Sequence, residues 1–364
     1  MMQQKDCDTA LPRKSEERNM RIDCMKGILI FLVIFGHSIQ YGSGKKFLLE
    51  ECYFEDILFK IIYTFHMPCF GILSGLLYYR YVRGRTFLKK MQKVWKLLLP
   101  MLGFAVINVA ISLYKGEIIP AISDILRNYV WNVSYNWWFI WSIIICYVFW
   151  SIMEALHLGR SIKVVLAFCI QALFVILPDR ANSPLYGFIF IYFLVGYNIT
   201  DLVQICENIN ETWRQFVKYA ILFSWILCVT FYQREDYIYT SLLSINGKET
   251  LKQIEIDVFR WIIGIFGSFA FLRIIDRWIM NTPKRILTLL SFMGRNTIYI
   301  YILQGYFCMW LMKIIETEYV PIHYFYNFIQ AVSIVAICCM LIYGFKKMKQ
   351  RVKMLKGRIS EKNV

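Results

Sequence analysis

The sequence predicts an all-α fold: a polytopic integral membrane protein of about ten transmembrane helices, both termini cytoplasmic. Three observations predict it. The 364-residue chain is 58% hydrophobic and only 18% charged, with a mean hydropathy of +0.47, where a soluble protein carries about 25% charged residues. The apolar residues fall in runs of roughly 17 to 25, the length that crosses a bilayer as a helix. Lysine and arginine segregate to alternate connections between those runs, as topology signals do.

Taken in order, the spans are 22–41, 57–79, 95–114, 137–156, 161–178, 184–200, 216–232, 258–279, 297–315 and 322–345. Residues 1–21 are polar and mixed in charge, and no small-residue cleavage site follows the first apolar run, so the first span is expected to stay in the protein. The tightest connection is "LPDRANSP" at 177–184. With the N-terminus inside, 29 Lys and Arg fall on the cytoplasmic side and 10 on the other. Seven of the 29 lie between Arg80 and Lys96 and eight between Lys346 and Lys362. The chain thus divides into a cytoplasmic segment 1–21, a membrane-embedded domain 22–345 and a basic cytoplasmic tail 346–364. This bias accounts for most of the net charge of +16. A nucleic-acid partner is not required, although anionic headgroups of the membrane lipids would also be attracted. Cys146, Cys169, Cys228, Cys308, Cys338 and Cys339 lie inside apolar runs and only Cys52 in an exterior loop, so neither a disulfide framework nor a metal site is expected.

The polar residues inside the spans carry the functional signal, because a charge in hydrocarbon costs about 2.5–3.5 kcal/mol on insertion scales. The first span, "DCMKGILIFLVIFGHSIQYG", holds Lys26 near its cytoplasmic end and His37 eleven residues on. Eleven helical residues rise ~16 Å and turn about 1100°, some 20° past three full turns, so the two side chains share a face, with Asp23 beside Lys26. Snorkelling of Lys26 to the headgroups and a bundle-facing histidine are one reading of this pair; a polar path through the membrane is the other. The second span carries His66, then Pro68 and Gly71, Ser74 and Gly75. These small residues admit close approach of another backbone or of a ligand. His157 and His323 fall at span edges. "SYNWWFIW" opens the fourth span on the outer side: Trp137, Trp138 and Trp141 suit interface anchoring, and Asn136 with Trp137 suits a sugar-binding rim. "MGRNTIYIYILQGYF" places Arg295 and Asn296 at the cytoplasmic mouth of the ninth span and carries Tyr299, Tyr301 and Gln304 into the membrane.

These segments resemble, in order and over nearly the whole spanning region, the membrane-bound acyltransferase-3 family. "RIDCMKGILIFLVIFGH" is similar to its first span, with Lys26 in the place of the usual arginine, as in the fucose 4-O-acetylase-like branch. "FHMPCFGILSGLLY", "WWFIWSIIICYVFW" and "MGRNTIYIYILQGYF" are similar to later motifs of that branch. One position departs: Gln304 stands where the family carries a histidine, so it can serve as a hydrogen-bonding group but not as a proton carrier.

The resemblance implies transfer of an acyl group, usually acetyl, from cytoplasmic acetyl-CoA to a hydroxyl of an extracytoplasmic glycan, without a metal. The acyl-CoA phosphates are then expected on Lys26, Arg80, Arg83, Arg85 and Arg295, and the pantetheine arm along the face leading to His37. His37 is expected as the general base, or as the group that is itself acylated, assisted by His66. Asn136, Trp137, Tyr301 and Gln304 are expected around the substrate. A transporter or flippase of glycan precursors fits the ten spans too, although no inverted repeat is visible. So does a sensory membrane domain, although no soluble domain is attached.

Overall fold

The computed structural model describes residues 20–176, 182–207, 210–241, 249–314 and 324–362. The tight turn at 177–181 and His323 lie outside the described residues. The described residues are helical throughout: α1 (Met20–Gly42), α2 (Lys45–Leu49), α3 (Ile57–Tyr81), α4 (Phe87–Tyr114), α5 (Ile122–Tyr135), α6 (Trp138–Ala155), α7 (Arg160–Ile176), α8 (Ser183–Glu207), α9 (Glu211–Phe231), α10 (Thr250–Met280), α11 (Lys284–Arg295), α12 (Thr297–Ile314) and α13 (Tyr324–Lys362). Two single 3-10 turns, Cys52–Phe54 and Arg234–Asp236, precede α3 and α10.

Eight of these helices are long and apolar enough to cross a membrane alone. With the bent α11–α12 pair taken as one span the count is nine, and the expected tenth rests on α7. The ninth expected span, 297–315, is preceded by α11, and the pair bends by 82°, so α11 and α12 together supply at most one further span. Its α11 half lies across α1. The fifth expected span, 161–178, is the short apolar helix α7; 17 residues rise ~25 Å, short of the ~30 Å hydrocarbon core. Helices also run past their apolar stretches. α4 begins at Phe87, so Lys89, Lys90, Lys93 and Lys96 sit on helix rather than in a loop. The amphipathic α5 was not visible as a span because its apolar residues occupy one face only.

α1 and α3 are the enclosed helices and α9 the most exposed one. α1 is wrapped by α3, α11, α12 and α13. Two glycine crossings set this packing. A β-carbon at Gly27 would strike the Leu290 backbone, and one at Gly294 the Asp23 backbone, so α11 lies directly on the first turns of α1. Gly75 and Gly196 likewise meet the backbones of α8 and α3. The small-residue pattern after His66 is therefore helix packing, not a ligand's approach. Asp56 caps α3 by accepting the Phe59 N–H at 2.8 Å, and the helix continues through Pro68.

Candidate active site

On α1, Lys26, Ile30, Val33 and His37 fall at helical spacing on one stripe. At its far end the Nδ1–H of His37 donates to Oε1 of Gln304, from α12, at 2.8 Å. The amide orientation has its own support: Gln304 Nε2 donates to the Tyr301 carbonyl at 3.4 Å, and the Cys308 thiol lies 3.2 Å from Oε1. With Nδ1 protonated, Nε2 of His37 carries a lone pair. His66 is held in the same tautomer by a different device. Its Nδ1–H donates to the Ile62 carbonyl one turn back on α3, at 2.7 Å, and Tyr63 packs edge-on against its ring at 4.8 Å.

Both imidazoles line one cavity of about 200 Å³, and with them Asn136, Trp137, Tyr301 and Gln304. Six residues from four stretches of sequence thus meet in one place. Sequence reasoning did not place three further aromatic walls, Tyr63, Trp138 and Tyr239. Tyr63 was recoverable, since it lies three residues before His66 on the same helical face. Trp138 gave a signal compatible with interface anchoring. Tyr239 gave none, because it reaches the cavity through a loop.

That loop is held by a buried arginine. Arg260 of α10 is 3% exposed and donates to the carbonyls of Asp236 (2.8 Å), Glu235 (2.8 Å) and Tyr237 (3.2 Å), with Asp257 alongside at 3.2 Å. Burial pushes the Asp236 carboxyl above its ordinary range, opposed by the Gln233 N–H and by Arg260. The tether sets Tyr239 edge-on to Trp138, ring centres 6.3 Å apart.

α5 supplies the remaining wall through an asparagine ladder. Asn136 Nδ2 donates to Asn132 Oδ1 at 2.6 Å, and Asn132 Nδ2 donates to Asn128 Oδ1 at 2.8 Å. Asn108 of α4 joins at 2.9 Å and is in turn bonded by Tyr306 of α12. The exposed Asn136 amide therefore enters the cavity already oriented.

The basic residues named from sequence lie elsewhere. None of Lys26, Arg80, Arg83, Arg85 and Arg295 lines the His37 cavity. Lys26 is half-buried at the opposite end of the α1 stripe. Arg295 is exposed, its Nε 4.0 Å from the buried Asp23. Arg80 and Arg83 are exposed, with Arg83 over the Tyr79 ring at 4.9 Å, and Arg85 Nε donates to the Tyr81 carbonyl at 2.7 Å. Lys90 is buried against Glu154, which also accepts from Tyr78 (3.3 Å) and Tyr197 (3.0 Å). Beside the stripe lies a small apolar cavity of about 30 Å³ lined by Ile30, Phe70 and Thr297, which shares Val33, Met67 and Tyr301 with the His37 cavity but is not lined by Lys26. Among the described residues no group of three or more His, Cys, Asp or Glu is placed to hold a metal.

A family model described as an acyltransferase domain matches residues 19–344. The chain belongs to the acyltransferase-3 family. It is therefore a multi-pass membrane O-acyltransferase, using an acyl donor and an acceptor. This acyltransferase is 25% identical over 302 residues to Nodulation protein NolL of Mesorhizobium japonicum, covering 81% of this chain and 78% of that one. It is 25% identical over 307 residues to Nodulation protein NolL of Sinorhizobium fredii, covering 80% and 78%. No solved structure matches it.

Proposed function

We propose that this acyltransferase moves an acetyl group from cytoplasmic acetyl-CoA to a hydroxyl of an extracytoplasmic glycan, with an acceptor of the kind used by the fucose 4-O-acetylase-like branch. The observation that carries this reading is the α1 stripe. It carries a cation at one end, flanks a small apolar cavity along its length, and ends on an imidazole with an unprotonated Nε2 inside an amide- and aromatic-lined cavity.

The chain is oriented with Lys26 towards the cytoplasm and His37 outward, as the lysine and arginine bias directs. Both termini are inside, which requires α7 to cross despite its length. Lys26, with Arg80, Arg83, Arg85 and Arg295 around the same end of the bundle, receives the acyl-CoA phosphates. The pantetheine arm runs along the stripe past the apolar cavity, which widens to admit its thin, weakly polar chain. The ~16 Å rise from Lys26 to His37 brings the thioester to the cavity.

From the outer side a sugar ring rests among Trp137, Trp138 and Tyr239, with the Asn136 amide to bond its hydroxyls. The attacking hydroxyl gives its proton to His37 Nε2 as its oxygen forms a bond to the thioester carbonyl carbon. The carbon–sulfur bond then breaks, and the imidazolium returns that proton to the departing thiolate. The products are an ester and the free thiol, with no net proton exchanged. Gln304 holds His37 in the tautomer this needs, and accepting Nδ1–H leaves the cation no less well bonded than the neutral ring. His66, also unprotonated at Nε2, accepts from a second hydroxyl and orients the sugar.

The test is transfer by the purified full chain in nanodiscs, given acetyl-CoA and a fucosylated oligosaccharide and read as O-acetyl product by mass spectrometry. Product is expected with the parent and none above background with His37→Ala at equal abundance. Normal transfer in that variant overturns the reading.

A further inference from the structure

Away from the reaction cavity, α9 and α10 lie side by side in antiparallel and leave a groove between them of about 500 Å³. The lining is sorted by depth. On α9, Lys218 is followed one turn further along the helix by Ile221 and Leu222; on α10, running the opposite way, Phe269 and Ala270 lead to Arg273 and Arg277. Because the helices are antiparallel, the three cations gather at one end and the aliphatic and aromatic side chains at the other. A hydrogen bond from Arg273 to Gln215, at 3.4 Å, fixes that alignment across the groove.

Among the described residues no carboxylate lines the groove. Two described acids on these helices are committed outside it: Asp276 pairs with Arg21 at 3.7 Å, and Glu211 pairs with Arg214 at the start of α9. Three like charges around one apolar trough repel one another, and a zwitterionic headgroup, whose own cation offsets its phosphate, relieves that repulsion less than an anionic one. A second copy of the chain is a poor occupant, since a two-fold contact would set this cationic end near its own image.

We infer that the α9–α10 groove binds an anionic phospholipid, its phosphate on Lys218, Arg273 and Arg277 and the first part of an acyl chain along Ile221, Leu222 and Phe269. Lysine and arginine give charge-assisted hydrogen bonds to phosphate oxygens, and basic pockets between spanning helices suit anionic headgroups. From Arg277 to Phe269 the helix rises ~12 Å, enough for a phosphate, the glycerol backbone and the first methylenes. The exposed face of α9 places the groove open to the bilayer. The site shares no residue with the His37 cavity, so this inference does not rest on the proposed reaction.

The experiment uses native mass spectrometry of the full chain, exchanged into detergent with phosphatidylglycerol or phosphatidylcholine. The parent is expected to retain phosphatidylglycerol preferentially, and inorganic phosphate at the same concentration should not displace it. A basic residue at an anionic lipid contributes roughly fivefold, so Lys218→Gln/Arg273→Gln/Arg277→Gln should lower retention by about a hundredfold. Leu222→Trp, which fills the trough and leaves every charge, should also lower it. Lys347→Gln/Lys349→Gln/Arg351→Gln, on the exposed end of α13, should not. Equal retention of the two lipids by the parent, displacement by phosphate alone, or an equal loss in the α13 variant would each overturn the site.

Discussion

Replacing Gln304 with leucine tests the site at its most specific contact. Gln304 is 4% exposed, and its Oε1 accepts the His37 Nδ1–H at 2.8 Å. Leucine keeps much of the volume and removes the acceptor. The buried Nδ1–H is then left without its partner, a penalty of about 1–3 kcal/mol, which His37 can escape only by moving its proton to Nε2 or by rotating. Either response removes the lone pair that takes the hydroxyl proton. At about 1.4 kcal/mol per tenfold, transfer should fall by roughly 5- to 150-fold. The loss should sit in kcat rather than KM, since the acceptor still meets Asn136 and the aromatic walls. Gln304→Glu restores an acceptor at the same reach and should recover most of the rate. Gln304→His should be tolerated, because a ring nitrogen can accept and histidine is the family's usual residue there. The assay is initial acetyl transfer in nanodiscs at matched abundance. A leucine variant with parental kcat would show that Gln304 does not orient His37. A loss equal in the leucine and glutamate variants would point to packing instead.

Three further outcomes follow from the same geometry. Lys26→Arg should keep most acetyl-CoA binding while Lys26→Glu loses it, measured by calorimetry on the purified chain; unchanged affinity in the glutamate variant would reduce Lys26 to a snorkelling residue. Gly294→Val should lower the yield of folded protein sharply, because its side chain would meet the Asp23 backbone, whereas Gly103→Ala, with nothing within 4 Å, should leave yield and thermal midpoint unchanged. Arg260→Met should cost about 3–5 kcal/mol of stability by leaving Asp257 buried without its partner, and should raise the KM for the acceptor as Tyr239 loses its tether; Asp257→Asn/Arg260→Met should recover part of the stability but not the KM.

The fold class was legible because hydrocarbon leaves a chain few options. Every backbone group must be satisfied within its own segment, so length and apolarity alone identify a spanning helix. That logic fails where a helix is neither fully apolar nor long. At 161–178 the described helix has only 17 residues, the lower limit for a span, and α5 did not register because its apolar residues cover a single face. Nor could it show that Arg295 and Asn296 stand at an 82° break rather than on a straight entry to the next span.

The candidate site divides the same way. His37, His66, Asn136, Trp137, Tyr301 and Gln304 could each be named from sequence, because a polar group inside an apolar run needs a reason and helical periodicity assigns it a face. What sequence could not supply was their partners. Gln304 stands 267 residues from His37 and looked only like a lost histidine until the packing of α12 against α1 made it the group that fixes the imidazole's proton. Lys90 read as one more member of a basic cluster until α6 brought Glu154 to it. Tyr239 sits in a loop with no periodic signal and enters the cavity only because Arg260, 21 residues later, binds three backbone carbonyls. The sequence by itself determined which segments enter the membrane and which polar side chains they carry, since these depend on local composition and helical pitch. The tertiary structure decided which of those side chains meet and in what protonation geometry, because hydrogen bonds between distant helices depend on packing that no local pattern encodes.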